Sequence, residues 1–268
     1  VHPLYGGALR GAGERWMVGT KTLFMNLGVS YRVAEAILWP PFMATTRRDW
    51  RGAQNLGKHG EGIVVAPNHI SFLDPLLMAH FLHDNGRPPR FMGKQSVFEV
   101  PVFGRLIHNA GQIPVSRDRD PHKALAKAVE AVNQGECLVM YPEGTITRDP
   151  DVWPMTGKTG ALRVALETGA PLVPIAQWGA NKIMPPYTTQ MHFLPPKTIQ
   201  VTAGSPLDID DLRGKPMTKA LLEEGTERLM DAITALLEQI RGEKAPAVRL
   251  DWAAEQKRRA ADPTEEEN

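Results

Sequence analysis

The sequence predicts an α/β fold: a mostly parallel central sheet flanked by helices, preceded by an N-terminal amphipathic helical segment. Short apolar runs bounded by glycine or proline, such as Gly62-Ile63-Val64-Val65-Ala66 before Pro67, alternate with longer segments of helical periodicity. That alternation favours parallel strands joined by crossover helices. Several of the apolar runs are followed at once by polar residues, the arrangement expected where parallel strands deliver their loops to one crevice.

The elements follow in order. Across residues 1–45 the apolar side chains Trp16, Met17, Val18, Leu23, Phe24, Leu27, Tyr31, Ala34, Ile37, Leu38, Trp39 and Phe42 recur largely at helical intervals. The first 60 residues carry eight Lys or Arg against three Asp or Glu, a local excess of five. Lys21, Asn26, Arg32 and Glu35 interrupt the apolar residues, leaving no run of the ~18 needed to span a bilayer. An amphipathic helix lying on an anionic membrane surface fits this pattern, as does a core-packing helix or helical hairpin. Residues 46–241 read as one sizeable domain. Its strands are expected at 62–66, 90–94, 111–116, 137–141, 172–177 and 198–203. Its helices are expected at 73–84, 102–109, 121–134, 157–168 and 215–241. Residues 242–268 hold seven acidic and five basic residues and end in Glu265-Glu266-Glu267, which predicts a frayed helix or mobile tail.

The chemistry concentrates after three strands. His69 follows the first of them, in Asn68-His69-Ile70-Ser71-Phe72-Leu73-Asp74, and Ser71 and Asp74 have the spacing of a capping box, with Pro75 suited to a first helical turn. Within one helix, about 100° per residue would place His69 and Asp74 on separate faces, so the histidine must precede the helix. From a loop the imidazole can fold back, one ring nitrogen meeting the Asp74 carboxylate and the other facing the crevice, as a charge-oriented general base. After the strand at 137–141 comes Glu143-Gly144-Thr145, and after the strand at 111–116 comes Arg117. Arg117 offers a planar fork for phosphate. Gly144 permits close backbone approach. Thr145 can donate a hydrogen bond, and Glu143 can accept from substrate hydroxyls.

Other features exclude alternatives. Net charge is +1, which gives no sign of a nucleic-acid partner. The single cysteine, Cys137, excludes an intramolecular disulfide and sits in an apolar strand, as a buried thiol does. His80 and His83 lie three apart on a helix without a third ligand nearby, so an exposed pair is expected and no metal site. Gly157-Lys158-Thr159-Gly160 lacks the upstream glycine of a nucleotide-binding loop, although Lys158 can touch an anionic substrate.

At this point the chain resembles the glycerolipid acyltransferase family over roughly residues 60 to 180. Asn68-His69 with Asp74 is similar to that family's Asn-His-four-residues-Asp block. Phe91 to Arg117, marked by Lys94, Gly104, Gly111 and Arg117, is similar to the second block. Pro142-Glu143-Gly144-Thr145 resembles the third, and Pro171-Leu172-Val173-Pro174-Ile175 the fourth. One departure is that the third block often continues with arginine, where this chain has Ile146 and places Arg148 two residues on.

The resemblance implies an acyltransferase domain over residues 46–241. It would move an acyl group from acyl-CoA or acyl carrier protein to a hydroxyl of lysophosphatidic acid, with glycerol-3-phosphate or a glycolipid as alternative acceptors. His69 would be the base and Asp74 its orienter, without an acyl-enzyme. Asn68, Ser71, Lys94, Arg117, Glu143, Gly144, Thr145 and Lys158 form the expected substrate-binding set. Acyl-CoA enters as co-substrate and no cofactor or metal is expected. The implied partners are lyso-phospholipid and an anionic membrane surface, and the implied place is peripheral, on the cytoplasmic face of the membrane. Two rivals stand beside this reading. A hydrolase would use Ser71 or Cys137 as nucleophile with His69, but the chain lacks a Gly-X-Ser-X-Gly elbow. A lipid-binding membrane protein would need no catalysis at all.

Overall fold

A computed structural model describes residues 45–100, 104–105, 108, 112–115 and 121–261. The expected amphipathic segment at 1–45 therefore lies outside the described residues, apart from its last position. So do Arg117, Gly111 and most of the helix expected at 102–109.

The strands are β1 (Thr46–Arg51), β2 (Ile63–Pro67), β3 (Pro89–Lys94), β4 (Ile113–Val115), β5 (Cys137–Val139), β6 (Leu172–Trp178) and β7 (Lys197–Ala203). The helices are α1 (Asp74–Asp84), α2 (Gln95–Phe98), α3 (Pro121–Asn133), α4 (Gly160–Thr168), α5 (Ala180–Ile183), α6 (Lys219–Arg241) and α7 (Trp252–Ala261). The strands form one seven-stranded sheet in the order β1-β7-β6-β2-β5-β3-β4. Among the described residues only the β6–β7 pair is antiparallel. The expected α/β class, with a mostly parallel sheet between helices, is what the chain adopts.

Successive strand residues face opposite sides of a sheet, and here both sides are covered. Ile63 and Val65 of β2, with Cys137 and Val139 of β5, pack with Leu77, Met78, Phe81 and Leu82 of α1. Val64, Ala66 and Leu138 point the other way, into Ala128 and Val132 of α3, Leu162 and Ala165 of α4, and Leu229, Met230 and Ile233 of α6. Burial on both faces explains why these strands read as continuous apolar runs rather than alternating ones. Each fully buried Leu, Val or Phe contributes roughly 1.5–3 kcal/mol, and the paired faces lock β2 and β5 side by side. The loops that follow those two strands hence leave the same edge of the sheet together.

α6 begins at Thr218, whose hydroxyl accepts from the Leu221 amide at 3.2 Å, and stops at Gly242, which has φ +68°. Between them Leu222, Gly225, Thr226, Leu229, Met230, Ile233 and Leu237 form one buried stripe. Gly225 sets how closely α6 approaches α4, since a Cβ there would stand 2.5 Å from Leu162 Cδ2.

One expectation is corrected, and two features were not foreseen. His80 and His83 are buried rather than exposed: the His80 ring meets Trp50 edge-on at 4.9 Å, and burial pulls its pKa below the usual imidazole range against the opposing Asp84 charge. Residues 242–261 are mostly exposed, and their helix α7 buries no side chain, but the stretch is tied to the domain at two points. Arg249 pairs with Glu227 at 2.6 Å and with Asp231, the Leu250 carbonyl accepts from the Thr156 amide at 3.0 Å, and α7 follows. β1 was unforeseen. Its sequence, Thr-Arg-Arg-Asp-Trp-Arg, lacks apolar alternation because it is an edge strand, where charged side chains deter further pairing.

Candidate functional site

Asp74 opens α1 and is fully buried. Its Oδ2 accepts three hydrogen bonds, from His69 Nδ1 at 2.8 Å, the Ile70 amide at 2.5 Å and the Ser71 amide at 2.8 Å. Its Oδ1 is buried without a partner. Burial pushes the Asp74 pKa up, and the His69 contact and the two amides oppose that push. The position at a helix start also favours the carboxylate. Half of the expected capping box forms, with Asp74 reaching back to the Ser71 amide. The other half does not. Ser71 Oγ instead accepts from the Leu73 amide at 3.2 Å and donates to the Met184 carbonyl at 2.8 Å, and the helix starts at Asp74 rather than near Ser71.

His69 is thus held in the loop before the helix, as its spacing from Asp74 demanded. Its backbone is clamped as well. The amide donates to Glu143 Oε1 at 2.9 Å, and the carbonyl accepts from the Thr147 amide at 2.8 Å. Tyr141 stacks on the imidazole with ring centroids 4.3 Å apart. The His69 side chain keeps 16% of its surface exposed, and Nε2 has no partner among the described residues. An imidazole donating from Nδ1 to a carboxylate presents a lone pair at Nε2. This arrangement can take a proton from a hydroxyl brought against it.

Glu143 braces this centre rather than facing solvent. It is buried, and its Oε2 accepts from the Met155 amide at 3.0 Å. Burial pushes its pKa up to about 8, opposed by the Met155 and His69 amides and assisted by the Asp74 and Asp149 charges. Each Glu143 oxygen thus accepts from a backbone amide inside the protein, which holds the loop that carries His69. Asn68 is held inside the protein likewise. Its side chain accepts from the Gln177 amide at 2.8 Å and donates to the Gln177 carbonyl at 3.2 Å, while Gln177 Nε2 donates to the Asn68 carbonyl at 2.7 Å. This clasp ties the end of β2 to the end of β6. Ser71, buried and bonded on both sides, is no open substrate contact and no nucleophile. Burial pushes the Cys137 thiol up to about 12, Arg87 opposing, which leaves it unsuited to attack.

Of the remaining expected residues, Gly144 and Thr145 lie on the loop that carries Glu143, and Lys158 lies beside it. Gly144 has φ +70°, a left-handed turn that a side chain would strain, and a Cβ there would meet Lys158 Nζ at 2.8 Å. The Lys158 side chain therefore lies across Gly144, and its amide donates to the Pro142 carbonyl at 2.7 Å. Thr145 Oγ1 lies 3.4 Å from the Tyr187 hydroxyl, which donates to the Ile146 carbonyl. Phe72, 58% exposed, stands edge-on to Tyr187. Arg148, the arginine displaced from its usual place in the third block, lies over the Tyr187 ring at 3.4 Å and within 5.2 Å of Trp252. Lys94 ends β3, paired with Val115 of β4, and Arg117 lies outside the described residues. His69, Asp74, Glu143, Gly144, Thr145 and Lys158 thus share one contact chain. Tyr141 and Tyr187 were missed, although an aromatic directly after a strand and before Pro142-Glu143-Gly144-Thr145 was the signal for the first. Among the described residues no three His, Cys, Asp or Glu side chains are grouped to hold a metal.

Comparison with known proteins covers the stretch of chain that holds these residues. A family model described as Acyltransferase matches residues 47–178, a span that includes His69, Asp74 and the Glu143 loop. A chloroplastic 1-acyl-sn-glycerol-3-phosphate acyltransferase of Brassica napus is 35% identical over 148 residues, covering 54% of this chain and 40% of that protein. The 1-acyl-sn-glycerol-3-phosphate acyltransferase of Borreliella burgdorferi is 28% identical over 132 residues, 48% of this chain and 50% of that one. The chain spans about two fifths to half the length of these curated relatives. The crystal structure of the LPA acyltransferase PlsC from Thermotoga maritima superposes with a TM-score of 0.60 at 18% identity, covering 89% of this chain and 86% of that one, and so shares the fold. Over residues 47–178 the chain matches the Acyltransferase family, and the relatives named above as 1-acyl-sn-glycerol-3-phosphate acyltransferases are what it is similar to.

Proposed function

We propose that this protein transfers a fatty acyl group from a thioester to the free hydroxyl of 1-acylglycerol-3-phosphate. The observation that carries the reading is the His69 Nδ1–Asp74 Oδ2 contact of 2.8 Å, on a histidine whose peptide is held at both ends and whose Nε2 is unpartnered among the described residues. Nε2 takes the proton of the acceptor hydroxyl as that oxygen attacks the thioester carbonyl. The tetrahedral intermediate collapses with cleavage of the carbon–sulfur bond, and the Nε2 proton passes to the departing thiolate. Asp74 orients the ring and offsets the transient imidazolium charge, a role worth most where water is excluded. No acyl-enzyme is needed, and the occupied Ser71 hydroxyl and raised Cys137 pKa argue against one. General-base assistance of this kind supplies about two to four orders of magnitude in rate.

Lys158 and Thr145, with Lys94 and Arg117, are the residues proposed to hold the acceptor's phosphate, while Asn68, Ser71 and Glu143 position the loop that carries the base. Acyl-CoA is the proposed donor, with acyl carrier protein thioesters as the alternative. The protein is proposed to work as a peripheral protein on the cytoplasmic face of an anionic membrane. Among the described residues no helix is long and apolar enough to cross a bilayer. The test is thioester consumption by purified protein, with products identified by mass spectrometry across several acyl donors and lyso-lipids. Consumption that requires a lyso-phosphatidate and yields phosphatidate supports the reading. Equal consumption without any acceptor would convert it to a hydrolase.

A further inference from the structure

A cavity of about 420 Å³ opens where the N-terminal ends of α4 and α6 converge, lined by Lys158, Thr159, Arg163, Lys219 and Glu223. Its size is in the range of ligand sites. Three cations face one carboxylate. The Arg163 side chain is half-buried and makes no ion pair or hydrogen bond among the described residues, so its guanidinium is open to a ligand. The Lys219–Glu223 pair is 3.5 Å apart with the lysine side chain 87% exposed; such surface pairs hold weakly, and Lys219 can turn toward a ligand. Thr159 precedes α4 without capping it through its side chain. It lines the cavity, and the positive end of the helix adds to the three cations. Met217 and Leu222 close the remaining wall with apolar surface. At the near end Lys158 reaches across Gly144, the residue after the glutamate that holds His69.

We infer that this cavity is a phosphate subsite, in which Arg163 and Lys219 join Lys158 and Thr159 in binding a phosphate group of a substrate. The apolar wall suits the carbon framework next to that phosphate. The identity of the substrate rests on the acyl-transfer reading; the binding of phosphate does not. Two sources share this chemistry, the glycerol phosphate of the acceptor and the nucleotide phosphates of a coenzyme A donor.

Titration calorimetry on the full chain separates them, with glycerol 3-phosphate and adenosine 3′,5′-bisphosphate as the two probes. At least one probe is expected to bind the wild type, and the same probe is expected to bind Arg163→Gln and Lys219→Gln roughly ten- to a hundredfold more weakly, the worth of a charged hydrogen bond. Arg163→Lys, which keeps the charge, should recover part of the loss, and unchanged circular dichroism excludes misfolding. In turnover, the KM of the substrate related to the binding probe should rise in both glutamine variants by more than kcat falls. Absence of binding by both probes at millimolar concentration, or equal binding by wild type and both glutamine variants, would overturn the inference. Phosphate binding without acyl transfer would sink the proposed reaction and leave the subsite standing.

Discussion

Asp74→Asn separates the charge of Asp74 from its shape. All three donors that reach Asp74, His69 Nδ1 and the Ile70 and Ser71 amides, converge on Oδ2, while Oδ1 is buried and unpartnered. An asparagine can therefore place its carbonyl oxygen where Oδ2 stands and its amide nitrogen where Oδ1 stands. All three hydrogen bonds survive, and so does the Nδ1–H tautomer, because the two backbone amides require an acceptor at that position. A buried charge disappears while the new amide N–H groups stand buried at the unpartnered Oδ1 position, two opposing effects that should leave folding stability little changed. What is lost is the anion beside the imidazolium. Unit charges about 4 Å apart at an effective dielectric constant of about 20 attract by about 4 kcal/mol, and about 1.4 kcal/mol is tenfold in rate. kcat at saturating donor and acceptor should fall by about three orders of magnitude, with Tm within a few degrees of wild type. Retention of kcat within about threefold, in protein with an unchanged Tm, would refute the charge-stabilised base.

Other expectations are independent of that one. Glu143 has its pKa raised to about 8 in the folded protein against an ordinary 4.5, so the folded state favours its protonated form; its contribution to stability is complete below about pH 4.5 and is lost as pH rises through about 8. Tm should fall over that window less steeply in Glu143→Gln than in wild type, and parallel curves would contradict the assignment. Ser71→Ala strands the Met184 carbonyl and the Leu73 amide at a cost of about 1–3 kcal/mol, measured by urea denaturation, but should spare the chemical step; loss of all turnover in folded Ser71→Ala would revive a serine nucleophile. Gly225→Ala places a Cβ 2.5 Å from Leu162 Cδ2 and 2.7 Å from Leu212 Cδ1, an overpacking expected to cost about 1–3 kcal/mol, and an unchanged denaturation midpoint would show that α4 and α6 separate freely.

Much of this molecule was legible because its central strands are buried on both faces. β2, β5 and β6 read as apolar runs, and their partner helices showed their buried stripes at helical spacing. β1 was hidden by the same logic, since an edge strand carrying Arg47, Arg48, Asp49 and Arg51 gives the core only Trp50, too little to pattern it. His69 and Asp74 could be paired from a spacing that no single helix satisfies. The roles of Asn68, Ser71 and Glu143 could not, because each is decided by backbone groups distant in sequence: Gln177, Met184 and Met155. A polar residue beside a catalytic one looks the same in sequence whether it meets substrate or clasps a loop. His80 and His83 misled for a similar reason, as packing by Trp50 is invisible locally. The charged stretch after Gly242 read as a tail because Arg249 finds Glu227 and Asp231 only through the geometry of α6.

The central claim is that His69 acts as the base that activates the acceptor hydroxyl. The most direct measurement is single-turnover acyl transfer to a lyso-phosphatidate by His69→Ala, compared with wild type over a range of pH. Transfer should drop by about two to four orders of magnitude, with far-ultraviolet circular dichroism unchanged and the wild-type dependence on a titrating base gone from the residual rate. Transfer near the wild-type rate, with the same pH profile, would contradict the account.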